Sequence, residues 1–258
     1  MITTHRRYSL LAALILALVT LSLGLSGCRD GVEMSEMDQA LAPARALPLD
    51  ERIPALRAFR VEQPELASYG SYEMGNTYYE LAAATDSVPG VDSLTGTNAL
   101  LDSALVAFQT AIAADSTFVE AWVNMGLIWD DISDGRTPQA RRATEEAKNA
   151  YLAAVALRPT DEKARCNLGS LFFRRHQYAE AVEQFQAVLD HDPESSLAHY
   201  NLAIMFAESR MYREASTEWE LASKYDPDGD IGERSRDNLK VIEELMNSEI
   251  PEDLKGGH

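Results

Sequence analysis

Cysteine is almost missing from this chain. Among 258 residues there are only Cys28 and Cys166. A disulfide framework is thereby excluded, and the fold has to rest on packed side chains. Histidine is scarce too, and His176, His191 and His199 show no pair at metal spacing on one helix. No glycine-rich phosphate loop and no nucleophile elbow are present, so the commonest catalytic and nucleotide-binding chemistries have no residues to use. Positive charge is short: 23 Lys and Arg against 41 Asp and Glu give a net charge of −18. Such a chain repels phosphate backbones, which excludes nucleic acid as a partner. It also stays off anionic lipid unless something anchors it.

An anchor is written at the start. Arg6-Arg7 precede an apolar run, Leu10 to Leu25, broken only by Thr20, Ser22 and Gly24. A charged start, an apolar middle and small residues at the end make a secretory signal. The stretch is short for an uncleaved membrane span, and no charged stop follows it. It ends in Leu25-Ser26-Gly27-Cys28, which resembles the lipobox of bacterial lipoproteins. That resemblance implies cleavage after residue 27 and lipidation of Cys28, with more than one acyl chain, enough for stable attachment. It also implies a periplasm-facing place in the cell envelope. Arg29 after the cysteine, with Asp30 one later, favours the outer over the inner membrane. Arg6-Arg7 leave twin-arginine export as a minor route. With Cys28 lipidated, Cys166 has no partner and reads as a buried, inert thiol.

Proline punctuates the rest. Pro159, Pro193 and Pro227 stand 34 residues apart and carry matching neighbours. Asn167-Leu168 returns as Asn201-Leu202, Tyr178 as Tyr212, Glu180-Ala181 as Glu214-Ala215, and Phe185 as Trp219. A 34-residue period with these residues resembles the tetratricopeptide repeat, a helical hairpin that stacks on its neighbours. The resemblance covers about 68–229. It implies an all-α, right-handed α-α superhelix of about four helical pairs with a C-terminal capping helix. The expected organisation is a signal at 1–27 and a linker with short helices at 28–63. Repeats follow at 64–229, with units near 68–118, 119–161, 162–195 and 196–229. A cap at 230–248 and a loose tail at 249–258 complete it.

Periodicity places the core. Ala164, Leu168, Gly169 and Phe172 share one side of a first helix, and Ala181, Phe185 and Val188 one side of its partner. Gly169 lets the two approach, and a large side chain there would overpack the crossing. Two earlier units exceed the period, by nine residues around Asp130–Ala143 and by 17 around Ala82–Thr97, and both excesses read as loops. Ile53, Leu56 and Phe59 form an apolar stripe ahead of the first unit. Asp226-Pro227-Asp228-Gly229-Asp230 has the alternating aspartates of a calcium loop. Ile231 stands where that loop needs glycine, so the segment reads as a turn with Asp230 capping the next helix.

In this family the first helix of each pair lines a concave face. Carried over by position, the groove residues are Tyr69, Tyr72, Asn76, Tyr79 and Glu80; then Glu120, Val123, Leu127, Asp130 and Asp131; then Lys163, Cys166, Ser170, Phe173 and Arg174; then Leu197, Tyr200, Ile204, Ala207 and Glu208. Chaperone-binding members grip a terminal carboxylate with several cations and asparagines. Lys163, Arg174 and Asn76 are too few and too separated for that. The mixture suits an apolar or aromatic protein segment flanked by positive charge. The same rings could instead pack under the stripe at Ile53, Leu56 and Phe59. The expected function is a non-enzymatic adaptor or assembly factor for other envelope proteins or peptides, without metal or cofactor. An alternative is capture of a small glycan or peptide by Tyr69, Tyr72, Tyr79 and Trp129.

Overall fold

The computed structural model describes residues 36–86, 93–133 and 137–249. The signal peptide, Cys28, the loop tips at Pro89-Gly90 and Asp134-Gly135, and the tail beyond Glu249 lie outside these residues. Every regular element among them is a helix. In order these are α1 (Glu36–Arg45), α2 (Leu49–Glu62), a single 3-10 turn (Pro64–Leu66), α3 (Ala67–Asp86) and α4 (Ser93–Ala114). There follow α5 (Val119–Ile132), α6 (Pro138–Leu157), α7 (Glu162–Arg174), α8 (Tyr178–His191), α9 (Ser196–Glu208), α10 (Tyr212–Tyr225) and α11 (Asp230–Glu249). They fall into two compact units that divide between Ala121 and Trp122, inside α5.

In the first unit, α3 and α4 cross where Gly75 faces Phe108. A Cβ at Gly75 would sit 2.6 Å from the ring. Here the expected hairpin is confirmed, but not its long loop. The extra 17 residues mostly lengthen the two helices, because Leu81-Ala82-Ala83-Ala84 and Asn98-Ala99-Leu100-Leu101 are good helix formers. The stripe before it belongs to a further helical pair. Leu41 of α1 and Leu56 of α2 are fully buried with Met74 and Ala107, and Ile53 and Phe59 pack on the same cluster. Gly70 marks where α2 crosses α3: a Cβ there would meet Arg60 at 2.6 Å and Phe59 at 2.9 Å. Arg45 fixes the pair by donating to the buried carboxylate of Glu73 at 3.0 Å.

The second unit repeats one crossing. Gly126 faces Tyr151, and Gly169 faces Phe185, each with room for no Cβ (2.6 Å to the ring). In the last pair Ala203 packs with Trp219. The nine extra residues go largely into α6, whose N-terminus is capped by Thr137, with its oxygen 3.0 Å from Ala140 N, and opened by Pro138. Asp161 and Ser195 cap α7 and α9 in the same way, 34 residues apart.

A second device also recurs at that interval. Arg165 donates to the Pro159 carbonyl and, at 2.9 Å, to Gln184; His199 meets the Pro193 carbonyl at 3.1 Å and Glu218 at 2.6 Å. Each side chain ties the proline turn to the following helix pair. The cap α11 lays Leu239, Ile242 and Met246 over Trp219, Ala203 and Ala215. Its start is held by Asp226, not Asp230. One Asp226 oxygen accepts from Ile231 N at 3.0 Å and Gly232 N at 3.1 Å.

Turns between paired helices carry a strained residue. His176 has φ 60° and Arg210 φ 61°, again 34 apart. Gln177 N donates to Phe172 O and His176 N to Phe173 O; Met211 and Arg210 do the same to Phe206 and Ala207. This is a Schellman ending, which glycine normally closes. A left-handed L-residue costs about 1–2 kcal/mol. Arg210→Gly should therefore raise stability by roughly 1 kcal/mol. A urea midpoint that fails to rise would mean the Arg210 side chain supplies a compensating contact.

Candidate functional site

The carried-over groove positions are not one surface. They repeat in registers along the first helices, and each register meets a different neighbour. Tyr72, Val123, Cys166 and Tyr200 share one register. Tyr72 packs on Phe108 and Phe118, with centroids 5.8 and 4.9 Å away. Val123 and Cys166 are buried, the latter among Ala198 and Leu202 of the next helix. Burial, with Glu162 nearby, pushes the Cys166 thiol up from its ordinary range, which makes it unreactive. Tyr200 and Ile204 lie in the cluster under α11.

The remaining positions divide as follows. Tyr69 meets Phe118 edge-on at 5.6 Å and also packs with the Leu41–Leu56 cluster. So the N-terminal pair draws Tyr69 inward. It covers the Gly70, Glu73 and Tyr78 flank of α3. Asn76 donates to Glu73 at 3.4 Å, and Tyr79 is half-buried on the same helix. Leu127 is half-buried, and Lys163 is exposed at the start of α7. Trp129 packs against Ala147, Tyr151 and Leu168. The aromatic set expected to stack on a small ligand is therefore divided among separate packing clusters.

What stays open is the last turn of each first helix in the second unit. Asp131, Arg174 and Glu208 occupy equivalent positions there, and all three are exposed. They line a cleft of about 830 Å³ together with Asp130, Phe173 and residues of the strained turn, Arg175, His176 and Tyr178. Thr144, Leu171 and Ser209 also line it. Arg174 Nη2 donates to both carboxylate oxygens of Asp130, joining α7 to α5. Asp130 is largely buried while Arg174 is half exposed, so the pair contributes about 1 kcal/mol at most. It does occupy the guanidinium that a carboxylate-gripping groove would need.

Beside it stands an aromatic shelf. Tyr178 is 49% exposed, and its ring lies 5.8 Å from that of Phe173 and 5.9 Å from that of His176, centroid to centroid. His176 Nδ1 lies 3.0 Å from the Tyr178 hydroxyl, which fixes the ring against the left-handed turn. Of the cleft residues, Asp130, Asp131, Phe173, Arg174 and Glu208 were expected from sequence, and Arg175, His176 and Tyr178 were not. Tyr178 had a repeat partner in Tyr212, but Tyr212 is half-buried beneath α11 and Tyr178 has no such cover. The non-glycine residue at the turn was the one available signal. Among the described residues, no group of three or more His, Cys, Asp or Glu is arranged to hold a metal ion. No described helix is long and apolar enough to cross a membrane.

A family model described as a tetratricopeptide repeat matches residues 166–230, within the last two hairpins. Solved structures resemble more of the chain. A thermophilic tetratricopeptide protein of Thermus thermophilus superposes with a TM-score of 0.61 at 14% identity, over 79% of this chain and 98% of that one. One from Parabacteroides merdae gives 0.56 at 16% identity, over 80% and 73%. MamA gives 0.51 at 17% identity, over 76% and 97%. No curated protein matches by sequence. At these identities the likeness is one of fold. The chain is all-α, of the tetratricopeptide solenoid class, built from helical hairpins with an added N-terminal pair and a C-terminal cap.

Proposed function

We propose that this protein is a non-enzymatic adaptor or assembly factor of the bacterial cell envelope. It is tethered by lipid on Cys28, on the periplasmic face of the outer membrane, and takes partner proteins in the cleft at the ends of α5, α7 and α9. One observation carries the reading: among the described residues, a charged and aromatic cleft lies open at the ends of α5, α7 and α9, while most carried-over first-helix positions are half-buried or buried against their neighbours. The apolar start and Leu25-Ser26-Gly27-Cys28 support the tether.

Two measurements test the two halves. Cells fed an alkyne-tagged palmitate should label the wild type in the membrane fraction, and Cys28→Ala should lose both label and membrane association. Label that persists in the variant rejects the tether. A photo-crosslinking residue at position 209, in the cleft lining, should trap a protein in intact cells, whereas the same residue at 190, on the exposed side of α8, should not. Equal or absent trapping rejects the cleft as the interaction face.

A further inference from the structure

The cleft has a composition that selects among partners. Its lining carries three carboxylates, Asp130, Asp131 and Glu208, against two guanidinium groups, Arg174 and Arg175. Arg174 is engaged by Asp130 within the chain. The remaining surplus is negative, and it belongs to a protein whose whole charge is −18. Tyr178 also lines the cleft, half exposed, with the rings of Phe173 and His176 near its own. From this we infer that the cleft binds a segment of a partner protein that presents an arginine next to an apolar side chain.

The physical reason is the match of shapes and charges. A guanidinium is flat, stacks on an aromatic face and forks onto a carboxylate; an ammonium does neither as well. The cleft already holds one guanidinium beside a carboxylate, Arg174 against Asp130. The partner's arginine lies over Tyr178 with its fork toward Glu208, and its apolar neighbour meets Phe173. Surplus negative charge speeds encounter with a basic segment and repels an acidic one.

This inference rests on the cleft being the interaction face proposed above, and the two fail in different ways. Absence of any crosslink at 209 removes the interaction face. The inference itself is tested on the purified chain with fluorescein-labelled peptides of one Gly-Ser frame carrying Leu-Arg, Leu-citrulline or Leu-Glu. Citrulline keeps the shape of arginine and removes its charge. By anisotropy the Leu-Arg peptide should bind about tenfold more tightly than Leu-citrulline. Tyr178→Ala and Glu208→Gln should each erase roughly three- to tenfold of that preference. Both are exposed positions, so the thermal midpoint serves as the check on folding. Added salt should weaken the Leu-Arg peptide alone. Equal binding of Leu-Arg and Leu-citrulline, tighter binding of Leu-Glu, no binding of any peptide, or a preference untouched by both variants would overturn it.

Discussion

Phe185→Ala is expected to destabilise the protein by about 3–5 kcal/mol, the range for removing a fully buried ring. Phe185 is 1% exposed and fills the space that Gly169 leaves on the facing helix. Its neighbours Ala181, Val188, Ala198 and Leu202 belong to both adjoining hairpins, so the loss falls on the interface between repeats as well as within one. Urea unfolding followed by circular dichroism checks it. A double-mutant cycle adds a sharper test. Gly169→Ala alone forces its methyl against the ring, whereas in the Phe185→Ala background the methyl meets open space. The two changes should couple favourably by about 1 kcal/mol or more. Additive effects would mean that the helices do not cross at these two residues.

The second large effect is expected at the cap. A Cβ on Gly232 would sit 1.7 Å from the backbone oxygen of Asp226. A backbone atom cannot swing away as a side chain can. Gly232→Ala must therefore move either the turn or the start of α11, and both changes break the two amide bonds to Asp226. The expected cost is about 3 kcal/mol, at the upper end for forced overpacking. It should appear first in the cap. Hydrogen exchange should quicken in α11 and around Trp219, while α7 and α8 keep their protection, because a repeat array couples mainly nearest neighbours. Uniform loss of protection would show that the second unit unfolds as one block.

The hairpin register was legible from residues. Glycine or alanine at one position and an aromatic ring on the partner helix is a pattern of size, and it held even across the long first hairpin, where Gly75 meets Phe108. The destination of the extra residues was less legible. Asp134-Gly135 and Pro89-Gly90 marked the turns, but nothing in a turn signal tells how far the helices run on either side of it. The helix-forming stretches beside them extended into the segments read as loops. The cap acceptor was misplaced by two aspartates for a similar reason: Asp226 and Asp230 are chemically alike, and only the path of the turn brings the first under the helix amides.

The site was harder, because a groove is a relation between repeats. Tyr72 and Tyr200 look like surface residues on a single amphipathic helix, yet the helix that follows each of them covers its ring. Tyr178 and Tyr212 are the same residue at the same repeat position, one exposed and one beneath the cap.

Composition, the 34-residue interval and the alternation of small and large side chains were enough to specify helical hairpins and their internal crossings. These depend on contacts within one repeat, which local pattern encodes. Which polar and aromatic side chains face solvent was settled by the stacking of hairpins and by the cap α11. Exposure at those positions depends on a neighbour far along the chain, and a one-dimensional pattern carries no distance to that neighbour.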